Sequence, residues 1–192
     1  ASGSQIRAQM LRRAGLDVTV IPARVDEAAI AAALASEGAS ARDLADVLAE
    51  SKALRIAARH PEAMVLGADQ VLECEGVIHS KPTTPEEAIA QIRDLAGRTH
   101  RLLSAAVVCQ GDRPLWRHVG EARLTMATLS NGFVRDYVAR NWPCLSETVG
   151  GYKIEEEGVR LMSRIEGDWF TILGLPLLPL LTWLRGRGDI AS

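Results

Sequence analysis

The residue most suggestive of chemistry is Asp69, because Gly67-Ala68-Asp69-Gln70 places a carboxylate inside an otherwise apolar run that resumes at Val71. An acid in that setting needs a partner, a metal ion or solvent in a cleft, since an unpaired buried charge is expensive. Two roles suit it: holding a divalent cation, and accepting a proton from an attacking water. Val25-Asp26-Glu27 follows a strand and a proline-containing turn and can present one or two further carboxylates, although such acids are commonly just solvated. Ala1-Ser2-Gly3-Ser4-Gln5-Ile6-Arg7 sets small and hydroxyl-bearing residues ahead of a helix, with Arg7 one turn inside. The free amides of a helix start favour a phosphate, and a guanidinium grips one in bidentate fashion. The same segment also reads as an ordinary capped helix with surface arginines. Lys52, in Glu50-Ser51-Lys52-Ala53 on an alanine-rich helix, is by default an exposed lysine, with phosphate binding as the minority reading. Lys81 precedes Pro82, whose ring restricts the local backbone and can aim the ammonium at an anion, although a plain turn lysine is the alternative. Gly150-Gly151 beside Tyr152 offers a flat pocket for a base or a buried aromatic. For Trp169 and Phe170 the core is expected.

Those residues need elements to position them. Ser4 to Ala14 is predicted to be a helix capped by Ser4 and ended by Gly15, followed by a strand at Val18 to Ile21. Residues Ala28 to Arg59 carry helical periodicity with a break near Gly38. Met64 to Ala68 and Val71 to Leu72 read as one buried strand, with a hairpin turn at Glu75-Gly76. Thr84-Pro85-Glu86-Glu87 is a strong helix start, combining a cap, proline at the first helical position and acids at the positive end. His100 to Cys109 and Pro114 to Thr125 are predicted to be paired strands, and Ser130 to Arg140 and Leu175 to Arg185 helices. This order indicates an α/β architecture without fixing the strand order.

Composition bounds the function classes. The 192 residues, 47% hydrophobic and 24% charged, suit one domain or two packed lobes. A net charge of -2 argues against a general nucleic-acid surface, while leaving room for a local basic pocket. Cys74, Cys109 and Cys144 are odd in number and lack CxxC pairing, so a reducing, cytoplasmic compartment is expected. The longest apolar run, Leu173 to Leu184, is interrupted by Gly174, Pro176, Pro179 and Thr182, so no membrane span is expected. Arg7, Arg12 and Arg13 rule against a secretory signal at the start, and the chain opens at Ala1 as though part of an initial strand preceded it.

In their order along the chain, ASGSQIRAQML (1–11), VDE (25–27), SKA (51–53), GADQV (67–71), SKP with PEEA (80–88), LAGRTH (95–100), and IEGD with GLPL (165–177) resemble the Maf family of nucleotide pyrophosphatases. Each string is short, but seven in the right order are specific, and they span essentially all of residues 1–192. The resemblance implies one Maf-like domain with an elongated mixed central sheet flanked by helices and two lobes around a nucleotide cleft, similar to inosine triphosphate pyrophosphatases. It implies hydrolysis of the α-β anhydride of a nucleoside triphosphate with Mg2+ or Mn2+, a homodimer, and a link to cell division. By correspondence with the family's motifs, Ser2, Arg7, Lys52 and Lys81 fall on the phosphate side. Glu27 and Asp69 are the acidic, metal-side positions, and Asp69 is the proton acceptor. Gln70 and Glu155 fall at positions associated with substrate choice.

Glutamine and glutamate there resemble the branch that acts on 7-methyl-GTP, whereas threonine and glutamine accompany thymidine or uridine triphosphate. A carboxylate can accept both N–H donors of guanine's Watson-Crick edge, and a pyrimidine meets it with carbonyls. Ile6 departs from the pattern, standing where the family commonly has a second arginine and the 7-methyl-GTP branch a tryptophan. Cys144 to Gly150, CLSETVG, departs from a simpler AG step. A dTTP/UTP pyrophosphatase, a phosphatase releasing inorganic phosphate, and a non-catalytic nucleotide-binding regulator of cell division are the alternatives.

Overall fold

The computed structural model describes residues 1–191. Its helices are α1 (Gln5–Arg13), α2 (Glu27–Ser36), α3 (Ala41–Ala57), α4 (Pro85–Leu95), α5 (Asn131–Asn141), α6 (Trp169–Ile172) and α7 (Leu177–Arg187). The strands are β1 (Val65–Cys74), β2 (Val77–His79), β3 (Thr99–Gln110), β4 (Arg113–Met126) and β5 (Met162–Glu166), in the order β2-β1-β3-β4-β5. This is an α/β fold with a central sheet. β1 and β2 pair antiparallel, with Leu72 opposite His79, and β4 and β5 pair antiparallel, with Leu124 opposite Ile165.

The chain divides into two compact units. Among the described residues, the first comprises 1–70, 103–120 and 168–191, and the second 71–102 and 121–167. In the first, Met10 and Leu11 of α1, Ala68 of β1, Ala106 and Val108 of β3, and Leu175, Leu177, Leu180 and Leu184 form a continuous apolar core. In the second, α4 lies against α5, with Ile92, Leu95, Tyr137 and Val138 buried.

Local chemistry explains the element boundaries. Ser40 caps α3 in a reciprocal box with Asp43, and Thr84 accepts from the Glu87 N–H at the start of α4, where Pro85 fills the first turn. Along α3 the buried alanines Ala41, Ala45, Ala49, Ala53 and Ala57 recur every four residues, giving a smooth face that can approach β1 closely. Gly67 receives that face. A Cβ at Gly67 would stand 2.1 Å from the Ala49 carbonyl oxygen, so only glycine permits the contact.

Two expectations are corrected. Val18 to Ile21 is not a strand, because none of the sheet's five strands includes it to supply ladder bonds; Val18 packs on the apolar core instead and Val20 is exposed. Trp169 is not a core residue, since 47% of it is accessible at the start of the short α6, while Phe170 does pack against the core. Ser4 stands at the N-cap of α1, but its side chain makes no capping bond. β5 carries no strong alternation that marks it as a strand in the sequence, and four of its five residues are exposed. Among the described residues no helix is long and apolar enough to cross a membrane.

Candidate active site

Along α3, Leu44, Leu48 and Ile56 form an apolar stripe at four-residue spacing, and Lys52 occupies the missing step. Its side chain is therefore carried into the interior, and the whole residue is only 9% exposed. A buried ammonium requires anionic partners. Lys52 Nζ donates to Asp69 Oδ1 at 2.5 Å and lies 2.7 Å from Glu27 Oε1. Asp69 is 8% exposed in the middle of β1, whereas the Glu27 side chain, in the first turn of α2, is half open to solvent. One nitrogen thus joins α2, α3 and β1.

Arg7 is held nearby in the same unit. Its Nε donates to the Gly174 carbonyl at 2.6 Å, and its Nη1 donates to the Ala68 carbonyl at 3.1 Å and Ser2 Oγ at 3.2 Å. Ser2 Oγ also accepts from the Ser4 N–H at 3.3 Å, which organises the turn entering α1. Burial pulls the Arg7 pKa down from its ordinary value, and the carboxylates of Asp69 and Glu27 act in the opposite sense. A guanidinium remains charged under these conditions. The first unit therefore gathers Ser2, Arg7, Glu27, Lys52 and Asp69 as a set of two cations and two carboxylates around one strand segment.

Carboxylate oxygens are the donors that a hard divalent ion takes, and Mg2+ commonly uses one or two of them together with water and substrate phosphates. Glu27 and Asp69 both reach a single ammonium, so they already converge on one cationic point and suit such an ion. Among the described residues no group of three or more His, Cys, Asp or Glu side chains forms an all-protein cage.

The other predicted residues each sit within their own unit. Gln70 is in the first unit, but its side-chain amide donates to Ser104 Oγ, the Ile172 carbonyl and the Thr171 carbonyl at 3.0, 3.0 and 3.3 Å. Lys81 and Glu155 belong to the second unit, where both are exposed. Tyr152 is buried rather than lining an open pocket, and its hydroxyl lies 2.7 Å from His100 Nε2. A groove of about 350 Å³ in the second unit is lined by Glu73, Glu75, Thr99, Arg101 and Arg123. It contains none of the candidate residues, and its central acid Glu73 is tied to Arg101 and the Gly76 N–H.

Sequence reasoning placed Gly67 in its motif without a packing role, and missed Ser104, Thr171 and the Gly174 carbonyl. Ser104 left a signal, as the one hydroxyl within the apolar run Leu102 to Val108.

The sequence profile of the Maf-like protein family matches residues 1–187. The chain is 54% identical over 190 residues to a Ruegeria pomeroyi protein named nucleoside triphosphate pyrophosphatase, covering 99% of this chain and 96% of that one. A Sphingopyxis alaskensis protein of the same name is 51% identical over 189 residues, covering 98% and 96%. A Mesorhizobium japonicum protein named 7-methyl-GTP pyrophosphatase is 49% identical over 190 residues, covering 99% and 96%. A family match through nearly the whole chain, with relatives of this identity and coverage, means that the chain belongs to the Maf-like protein family.

Proposed function

We propose that the protein is a nucleoside triphosphate pyrophosphatase, which hydrolyses the α-β anhydride and releases a nucleoside monophosphate and pyrophosphate. The observation that carries this reading is the position of Lys52 between Glu27 and Asp69, with Arg7 in the same unit. It combines a candidate base, a carboxylate pair and cations for phosphate, and the names of the relatives point the same way.

In this reading Asp69 takes a proton from a water molecule as that water's oxygen bonds to the α phosphorus. The bond from that phosphorus to the bridging oxygen breaks, and pyrophosphate leaves with its electron pair. Arg7 and Lys52 offset charge that builds on the phosphoryl oxygens, and Ser2 Oγ keeps the Arg7 fork oriented. Glu27 and Asp69 would hold a divalent cation, which when bound lowers the charge repulsion at the triphosphate. Lys81 is assigned to phosphate, and Glu155 to the base, on the family resemblance alone. Mg2+ or Mn2+, a cytoplasmic setting, a homodimer and a role in cell division are proposed on the same footing.

The experiment is product identification. Purified protein with Mg2+ or Mn2+ is expected to yield equal amounts of monophosphate and pyrophosphate, and none in excess chelator. Release of inorganic phosphate instead would make it a phosphatase, and binding without turnover would make it a sensor.

For the base, we infer a 7-methyl-GTP-like purine. The exposed carboxylate of Glu155 and the name of the Mesorhizobium japonicum relative support it. In a substrate panel, thymidine and uridine triphosphates hydrolysed tenfold faster than 7-methyl-GTP, with that ratio unaffected by Glu155→Gln, would replace it with a pyrimidine preference.

A further inference from the structure

Asp69 is bracketed on both sides by attachments to one short segment, residues 168–174. On its C-terminal side, Gln70 Nε2 donates to the carbonyls of Thr171 and Ile172 and to Ser104 Oγ. Ser104 is fully buried on β3 and donates its own hydroxyl to the Thr171 carbonyl at 2.7 Å. On the N-terminal side, the Ala68 carbonyl accepts from Arg7 Nη1, and the Nε of the same guanidinium donates to the Gly174 carbonyl. The segment itself is tied together by internal hydrogen bonds. Asp168 Oδ2 accepts from both the N–H and the hydroxyl of Thr171 at 2.8 Å. Gly120 leaves room for Thr171, since a Cβ there would stand 2.7 Å from its hydroxyl oxygen. A closed circuit results, running from Ala68 through Arg7 to Gly174, back along the chain to Ile172 and Thr171, and through Gln70 to the strand.

The position of Gln70 on β1 matters equally. Consecutive strand residues point to opposite faces, so its side chain leaves the strand on the face opposite Asp69. Its two amide N–H groups already face three acceptors, leaving no donor to spare for a base edge.

We propose that Gln70 is a positioning residue and not a reader of the base: with Ser104 it clamps residues 168–174 into a brace that fixes Asp69 and Arg7. The proposal rests on the pyrophosphatase reading for its kinetic consequence, but the brace itself can be measured without turnover. Misplacement of about an ångström at a reacting group costs on the order of 100-fold in rate. The brace therefore acts on turnover and leaves base choice untouched.

The test uses Gln70→Ala, Ser104→Ala and the double variant of the full chain. Hydrogen-deuterium exchange of the 169–174 amides is measured alongside pyrophosphate release from 7-methyl-GTP, GTP, dTTP and UTP. Faster exchange in 169–174 is expected in both single variants, with kcat lowered roughly 10- to 100-fold by a common factor for every nucleotide. KM should change little, and the double variant should be no worse than the worse single one, because both act through one brace. If Gln70→Ala does not fold, Ser104→Ala, which removes a single hydroxyl, still decides the matter. A shift of more than tenfold in the ratio between bases, or unchanged exchange in 169–174, overturns the proposal. Failure of the parent to hydrolyse any of the four would sink the pyrophosphatase reading instead, with the exchange result still deciding the brace.

Discussion

Lys52 Nζ stands 2.5 Å from Asp69 and 2.7 Å from Glu27, so a single buried ammonium joins two carboxylates from different elements. Its removal leaves those acids without the ammonium that joins them, and the Arg7 guanidinium still acts on both. Lys52→Met, which preserves the apolar stem, is expected to destabilise the fold by about 2 kcal/mol, less than for a wholly buried pair because Glu27 is half open to water. Mg2+ or Mn2+ should restore more of the lost Tm in this variant than it adds to the parent, because the ion would replace the missing charge. Thermal melts with and without cation check this, and equal shifts in both proteins would remove Glu27 and Asp69 as the metal pair.

Asp69→Asn keeps the shape of the side chain and an oxygen to accept from Lys52, but discards the charge and the proton acceptor. A loss of about 10² to 10⁴ in kcat is expected, with circular dichroism and oligomeric state unchanged. Pyrophosphate release within threefold of the parent would exclude Asp69 as the base.

Gly67→Ala tests how α3 is delivered to β1. The added methyl would lie 2.1 Å from the Ala49 carbonyl and 2.9 Å from Ala53 Cβ, all backbone or short groups that cannot swing aside. The helix must retreat, and Lys52 with it. A loss of stability of about 1–3 kcal/mol is expected, together with a fall in turnover exceeding that of a distant destabilising change. Denaturant titration and kcat on the same sample check it; unchanged values for both would mean that the close approach is not needed.

His100 makes stability depend on pH. Burial, and secondarily His79, lowers its pKa from 6.5 to about 4, and its Nε2 pairs with the Tyr152 hydroxyl while Nδ1 has no partner among the described residues. The unfolded chain then binds a proton that the folded one refuses. Stability is fully present above pH 6.5 and falls as pH drops towards 4, by roughly 3 kcal/mol. Glu157, held down at about 2 by Arg140 and Asn141, adds stability that is present above pH 4.5 and is lost only as pH falls from there towards 2. In urea titrations between pH 7 and pH 4.5, His100→Leu should be less stable at neutral pH yet lose less on acidification. An unchanged slope would assign the acid sensitivity elsewhere.

Much of the fold was legible because its signals are local. Thr84-Pro85 starts α4, Gly38 falls in the turn between α2 and α3, and Glu75-Gly76 turns β1 into β2, each through backbone chemistry carried by a few neighbouring residues. Asp69 was legible for a similar reason, since a charge within an apolar strand is conspicuous without coordinates. Motif order along the chain determined the family. Tertiary structure alone decided which side chains meet. Lys52 reads as an exposed helix lysine until the Leu44, Leu48 and Ile56 stripe is seen to be buried with it, and only then is it forced onto Glu27 and Asp69, 25 and 17 residues away. Gln70 reads as a candidate base contact until its amide meets carbonyls about a hundred residues later in the chain. Trp169 reads as core, yet nearly half of it is accessible. Caps, turns and periodicity act over one or two turns of backbone, whereas the partners of a buried polar group are set by which distant elements pack together, and that depends on the free energy of the whole core.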